Sequence, residues 1–136
     1  MLTGDKVETA TCIAISAGFK QRRQQIFFMR DIQNYNEAER VLSDFERRTN
    51  TLLMIDGHTL DLILQHATLE ERFFASATQA PSVCVCRCSP TQKAIITSKI
   101  HAFTGKRTCS VGDGGNDVGM ILKSNVGVGI VGKEGM

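Results

Sequence analysis

The back half of the chain alternates extended and helical segments at short spacing, and this restricts the fold more than any other feature of the 136 residues. Val83 to Arg87 reads as a buried strand. Ser89 and Pro90 start a helix, with Pro at the first position, where its missing N–H costs nothing. That helix runs to about Phe103 and Gly105 closes it. A strand follows from Thr108 to Val111, then a tight loop over Gly112 to Gly115. Asn116 opens a helix to about Lys123, and Asn125 to Ile130 is a last strand. Strands alternating with short helices make a parallel sheet with helices on its faces. Ligands of such sheets sit beyond the carboxyl ends of the strands.

The front half fits the same class. Thr3-Gly4-Asp5 reads as a strand exit, with Asp5 capping a helix to about Ala17, Glu8 completing a capping box and Gly18 stopping it. Ile26 to Met29 is a strand. Asn36 opens a second helix, whose Ala38, Val41, Leu42 and Phe45 share one face. Thr51 to Ile55 is a short strand ended by Asp56-Gly57. From Thr59 to about Gln79 the chain is helical in two pieces, broken near Ala67-Thr68, and Pro81 ends it. The class is α/β. No repeat or linker interrupts it.

Composition removes several functions. Hydrophobic residues are 42% and charged residues 22%, ordinary for a soluble domain. A net charge of +2, one Tyr and no Trp argue against a nucleic-acid partner. The runs Lys20, Arg22, Arg23, then Arg47, Arg48 and Lys106, Arg107 read as solvated surface. No apolar run approaches the ~20 residues of a membrane helix. Five cysteines, an odd number, suit a reducing compartment. Cys84, Cys86 and Cys88 alternate as one face of a strand would, and read as small buried thiols rather than a metal site. His58, His66 and His101 form no ligand pair. Gly127 to Gly132 spells a dinucleotide fingerprint but lacks room for the required helix, and Gly105-Lys106-Arg107-Thr108 lacks the upstream glycine of a P-loop.

The sharpest chemical signal is Val111-Gly-Asp-Gly-Gly-Asn-Asp117. Glycines after a strand allow a sharp turn and close approach to a ligand. Asp113 and Asp117 then face one crevice and suit Mg2+, which takes one or two carboxylates plus waters and phosphate oxygens. Thr3-Gly4-Asp5 offers a hydroxyl and amides to a phosphoryl group. Lys93, one turn into its helix, is a point charge for phosphate.

Thr-Gly-Asp, then Lys, then Gly-Asp-x-x-x-Asp, in that order on strand ends, resembles the haloacid dehalogenase-like phosphotransferases. Met1 to Ala10, Leu53-Met-Ile-Asp-Gly57, Cys86-Arg-Cys-Ser-Pro-Thr-Gln-Lys93 and Gly112-Asp-Gly-Gly-Asn-Asp-Val118 resemble, more narrowly, the phosphorylation domain of type IV P-type ATPases, the phospholipid flippases. Cys88 with Thr91, the paired glycines of the loop, and Gly129 to Gly135 are most similar to the Golgi and endosomal Neo-type subgroup.

The resemblance covers nearly the whole chain. It implies a haloacid dehalogenase-like (Rossmannoid) parallel sheet with flanking helices, incomplete because the nucleophile strand is missing. Residues 1–136 would be part of one cytoplasmic phosphorylation domain, with an insert at about 19–57. Thr3 and Gly4 would contact the transferred phosphoryl and Asp5 would orient their loop. Lys93 would neutralise phosphoryl charge, Asn116 would bond a phosphoryl oxygen, and Arg87 is similar to a nucleotide-contacting arginine. Asp113 would coordinate Mg2+, with Asp117 as second carboxylate. ATP would be the parent's substrate. The partners would be the nucleotide-binding, actuator and membrane domains of a pump in Golgi or endosomal membranes, and phospholipid through it.

Three departures accompany the resemblance. The nucleophile motif Asp-Lys-Thr-Gly-Thr does not occur, so the chain alone is expected to be inactive. Gly119 stands where flippases commonly carry serine. The nucleophile strand would lie between the strands ending at Thr3 and Gly112, so two sheet edges are expected to lack partners and to favour marginal stability or self-association. The alternatives are a stand-alone Mg-dependent phosphatase-like protein and a non-catalytic phosphate-binding module.

Overall fold

Thr51–Asp56 is buried at all six positions. Its centre, Leu52 to Ile55, is apolar on both faces, as a strand covered by helices on two sides must be. Around it the computed structural model, which describes residues 1–131, gives this order: α1 (Val7–Ser16), β1 (Gln25–Met29), α2 (Tyr35–Glu46), β2 (Thr51–Asp56), α3 (Gly57–Leu64), α4 (Ala67–Ala77), β3 (Val83–Cys86), α5 (Pro90–Thr104), β4 (Cys109–Gly112), a 3-10 turn (Gly115–Asp117), α6 (Val118–Lys123) and β5 (Val126–Gly129). The family-like stretch that starts at Gly129 runs, from Gly132 onward, outside the described residues. The chain divides into two compact units, Met1–Cys88 and Ser89–Met136.

The first unit is a parallel sheet in the order β1-β2-β3. Leu2 extends it with a parallel bridge to Val85, and the Thr3 amide donates to the Val85 carbonyl at 2.9 Å. The pleat sorts the side chains. Leu52, Met54, Cys84 and Cys86 meet Val7, Ala10 and Ala14 of α1, with Ile26 packed against them. On the opposite face Phe27 lies 5.4 Å from Phe45 of α2. There α2, α3 and α4 pack on one another, and their Leu42, Leu60, Ile63, Leu69 and Phe73 are all buried. Arg72 of α4 reaches back to α2, bonding Ser43 Oγ at 2.9 Å and Glu46 at 2.5 Å.

The element types follow the sequence reading, as does the start of α5 at Ser89 and Pro90, while the starts of α1, α2 and α3 differ. Lys6, not Asp5, is the N-cap of α1, and it makes no side-chain cap bond. The Asp5 carboxylate instead accepts from the Thr3 hydroxyl at 3.0 Å, so the capping box with Glu8 does not form. Asn34, rather than Asn36, caps α2 by accepting from the Glu37 amide at 2.9 Å. Asp56 caps α3 through the Thr59 amide, starting that helix at Gly57, and the break before α4 falls at Gln65 and His66. For α2 two asparagines stand within three residues and only one can cap, and for α1 the expected cap, Asp5, is engaged by the Thr3 hydroxyl instead.

Cys84 and Cys86 share the face toward α1, as read, while Cys88 is buried beyond the strand end. Burial pushes the Cys84 thiol up to about 11 and raises that of Cys86. Cys12 and Cys109 are exposed. A thiolate-selective reagent at neutral pH is therefore expected to label Cys12 and Cys109 first, and Cys84 and Cys86 only after denaturant is added. Mass spectrometry of the labelled chain checks the order.

In the second unit β4 pairs with β5 in parallel, joined through α6. Ser89 and Gln92 cap α5 reciprocally: the Gln92 amide donates to Ser89 Oγ at 3.1 Å and the Ser89 amide to Gln92 Oε1 at 3.0 Å. Gly105, at φ +68°, ends α5 in the left-handed region open to glycine. Replacing Ser89 by Ala is expected to cost about 1 kcal/mol in urea unfolding. The helix expected from Asn116 is instead a 3-10 turn over Gly115–Asp117 followed by α6. Gly119 of α6 faces Ala94, whose Cβ an added methyl would meet at an ordinary 3.6 Å. Cys109, Val111, Val126 and Val128 line one exposed face of the β4-β5 pair.

Candidate functional site

The expected residues fall into two groups, one in each unit. In the first, the extended segment through Leu2 ends at Thr3, and the loop after β3 clasps it. The Cys88 amide donates to the Thr3 carbonyl and the Arg87 amide to the Asp5 carbonyl, both at 2.8 Å. Thr3 Oγ accepts from the Asp5 amide at 3.2 Å while donating to the Asp5 carboxylate. The clasp holds Arg87 at φ +48°, a region that L residues seldom occupy and that persists only when surroundings fix it. Gly4, Asp5 and Arg87 are exposed, and Thr3 is half-buried. A hydroxyl, the backbone of Gly4 and a guanidinium thus stand at the carboxyl ends of parallel strands, where α/β sheets bind ligands.

In the second unit Lys93, in the first turn of α5, and Asp117 are both buried and paired, with Nζ 2.7 Å from Oδ1. The other oxygen of Asp117 accepts from the Asp113 amide at 3.2 Å, and the Asp117 amide donates to the Gly114 carbonyl at 3.0 Å. Burial by itself would raise the Asp117 carboxyl. The hydrogen bond and charge of Lys93, with the amides of Asp113 and Gly114, outweigh it and hold the carboxyl below its ordinary value. Asp113 and Asn116 are exposed, and neither side chain has a hydrogen bond or ion pair among the described residues.

The donor set here is that of an open Mg2+ site rather than a closed cage. Among the described residues no three His, Cys, Asp or Glu side chains cluster as a closed metal cage. Mg2+ needs only one or two carboxylates, because it keeps several waters and takes phosphate oxygens. The exposed Asp113 fits that requirement, and Asp117 retains lone pairs beyond its two protein bonds.

Two features escaped the sequence. The Lys93–Asp117 pair spans 24 residues, and no spacing rule links the positions. Gly112 was read as part of a loop, yet its bareness is a packing requirement. An added Cβ would overlap Asp117 Cβ and lie 2.8 Å from Oδ2. A glycine closing a strand just before a carboxylate is the only local signal.

Comparison with known proteins agrees with the motif reading. No family model matches the chain. The human protein named probable phospholipid-transporting ATPase IIB is 48% identical over 135 residues, 99% of this chain and 12% of that protein. Phospholipid-transporting ATPase NEO1 of Saccharomyces cerevisiae is 47% identical over the same shares. Phospholipid-transporting ATPase 6 of Arabidopsis thaliana is 37% identical over 155 residues. The chain spans about an eighth of the length of the curated relatives it matches. The parallel α/β sheet, the strand-end Thr-Gly-Asp and Gly-Asp-x-x-x-Asp motifs and this end-to-end identity all agree with the resemblance to P-type ATPases. Over 99% of its length the chain is similar to one segment of proteins named phospholipid-transporting ATPases, among them NEO1 of Saccharomyces cerevisiae and neo1 of Schizosaccharomyces pombe.

Proposed function

We propose that this chain supplies the phosphoryl, Mg2+ and nucleotide contacts of an ATP-driven phospholipid-translocating ATPase. It does so as part of one cytoplasmic phosphorylation domain with an insert at about 19–57. The observation that carries the reading is the buried Lys93–Asp117 pair beside the free Asp113 carboxylate, immediately after β4. Phosphoryl transfer depends mainly on positioning and charge stabilisation. Lys93, fixed by Asp117, presents positive charge to the transferred group. Asp113 and Asp117 hold Mg2+, which when bound neutralises phosphate charge. Asn116 offers an amide to a phosphoryl oxygen. Thr3 and the Gly4 backbone contact the phosphoryl, Asp5 orients them, and Arg87 meets the nucleotide.

Among the described residues no helix is long and apolar enough to cross a membrane, so lipid movement belongs to other parts of the parent. Golgi or endosomal membranes are the proposed location. The exposed valines of the β4-β5 pair support contact with further protein, or with a second copy of the chain.

The test has two arms. In a full-length pump carrying this sequence, Asp113→Asn is expected to lower ATP hydrolysis by at least about 100-fold. The 136-residue chain alone is expected to release no phosphate from ATP or from a chromogenic ester. Ester hydrolysis by the chain that disappears in Asp113→Asn would favour the stand-alone phosphatase. Unchanged activity of the substituted pump would favour a non-catalytic module.

A further inference from the structure

Three basic positions that look unrelated to two others in sequence come together at the amino end of the first sheet. Lys20, Arg22 and Arg23 lie in the loop entering β1, and Arg47 and Arg48 in the loop entering β2. β1 and β2 are parallel neighbours in register from Gln25 and Thr51, so the two loops are adjacent. A hydrogen bond of 2.9 Å from Gln24 Nε2 to Asn50 Oδ1 ties them. The third loop at this rim, residues 78–82, carries no charge.

Little acid offsets the five cations. Asp44 meets Arg48 at 3.8 Å, and Glu46 is taken by Arg72. Arg22, Arg23 and Arg47 are exposed and have no ion pair among the described residues. Helix polarity accounts for only some of the charge. The dipole effect is confined to the last turn, neither α1 nor α2 has a cation in its last turn, and Lys20, Arg22 and Arg23 lie beyond the cap of α1. Phe19, beside Lys20, exposes 38% of its surface. An aromatic ring set among basic side chains is the composition that binds an anionic bilayer surface, the ring entering the headgroup boundary and the cations facing lipid phosphates. An acidic protein segment would use the cations and leave the ring in water.

We infer that this rim, Phe19 to Arg23 with Arg47 and Arg48, is a docking surface for an anionic phospholipid membrane. It lies at the end of the sheet opposite Thr3 and Arg87, so it does not depend on the phosphoryl reading.

The test is sedimentation of the 136-residue chain with vesicles of phosphatidylcholine alone, and with about 30% phosphatidylserine added. Binding is expected only to the anionic vesicles, and it is expected to fall at least tenfold between about 50 and 500 mM salt. R22Q/R23Q/R47Q is expected to lower the partition coefficient about 100-fold. The pair K106Q/R107Q, basic but outside this rim, is expected to have little effect. Phe19→Ala is expected to weaken binding and keep the salt dependence. Circular dichroism melts confirm that the variants fold, and the salt arm needs no variant. No binding to anionic vesicles, equal binding to neutral ones, or an unaffected triple variant overturns the proposal. So does salt-sensitive binding to polyglutamate without vesicle binding, which would assign the rim to an acidic protein.

Discussion

Replacing Lys93 by Met is expected to destabilise the second unit by about 3–5 kcal/mol, because it leaves the Asp117 carboxylate buried beside no cation. Urea unfolding followed by circular dichroism measures this. The double variant Lys93→Met/Asp117→Leu is expected to recover most of the loss, since a buried pair often exchanges for apolar packing at little cost. If the double variant costs the sum of the two single variants, the pair contributes no coupling and the site reading loses its centre. The pH dependence separates the cases further. In the native chain the Asp117 carboxyl is depressed in the fold. Its contribution is fully present above its unfolded value near 3.8, and is lost as pH falls through the lower folded value. In Lys93→Met the depressing charge is gone and burial dominates. That variant is expected to gain stability on mild acidification, as protonation removes the buried charge, the opposite of the native trend.

Gly112→Ala is expected to be the second most damaging change, at about 3 kcal/mol, the upper part of the range for overpacking. The new Cβ would strike Asp117 Cβ, an atom fixed close to the backbone, so no rotamer change relieves it. The 3-10 turn must move, which carries the carboxylate away from Lys93 and the Asp113 amide. Gly119→Ser serves as the comparison. Its Cβ would meet Ala94 at ordinary contact distance, and its effect is expected to lie within about 0.5 kcal/mol. If the two variants melt alike, bareness at Gly112 is not what seats Asp117. In a full-length pump carrying this sequence Gly112→Ala is also expected to lower ATP hydrolysis with little change in the KM for ATP, since Arg87, proposed to meet the nucleotide, is untouched.

The elements themselves were legible because each carried a strong local signal. Leu52 to Ile55 is an apolar run too short for a helix, Ala38, Leu42 and Phe45 recur at helical spacing, and Pro90 and Gly105 punctuate α5 at both ends. Caps were less legible. Asn34 and Asn36 are chemically the same cap, and only Asn34 folds back to the Glu37 amide, while the Asp5 carboxylate turns to the Thr3 hydroxyl and leaves α1 without a side-chain cap. The motifs named the candidate site residues one by one. Their pairing lay beyond reach, because Lys93 and Asp117 meet only when α5 and the turn after β4 are both in place. The basic rim escaped for the same reason: two solvated runs 25 residues apart become one surface through strand register alone.

The two buried thiols of β3 have a use in measuring cooperativity. Cys84 and Cys86 react only when the first unit opens, and Cys109, in the second unit, is exposed throughout. Their modification rate, divided by that of a free thiol, therefore gives the opening free energy of the first unit by itself. Amide exchange across α5 gives the corresponding quantity for the second. Equal values would mean a single cooperative transition. A lower value on one side would identify the part of the chain that loosens first, before any global unfolding is seen.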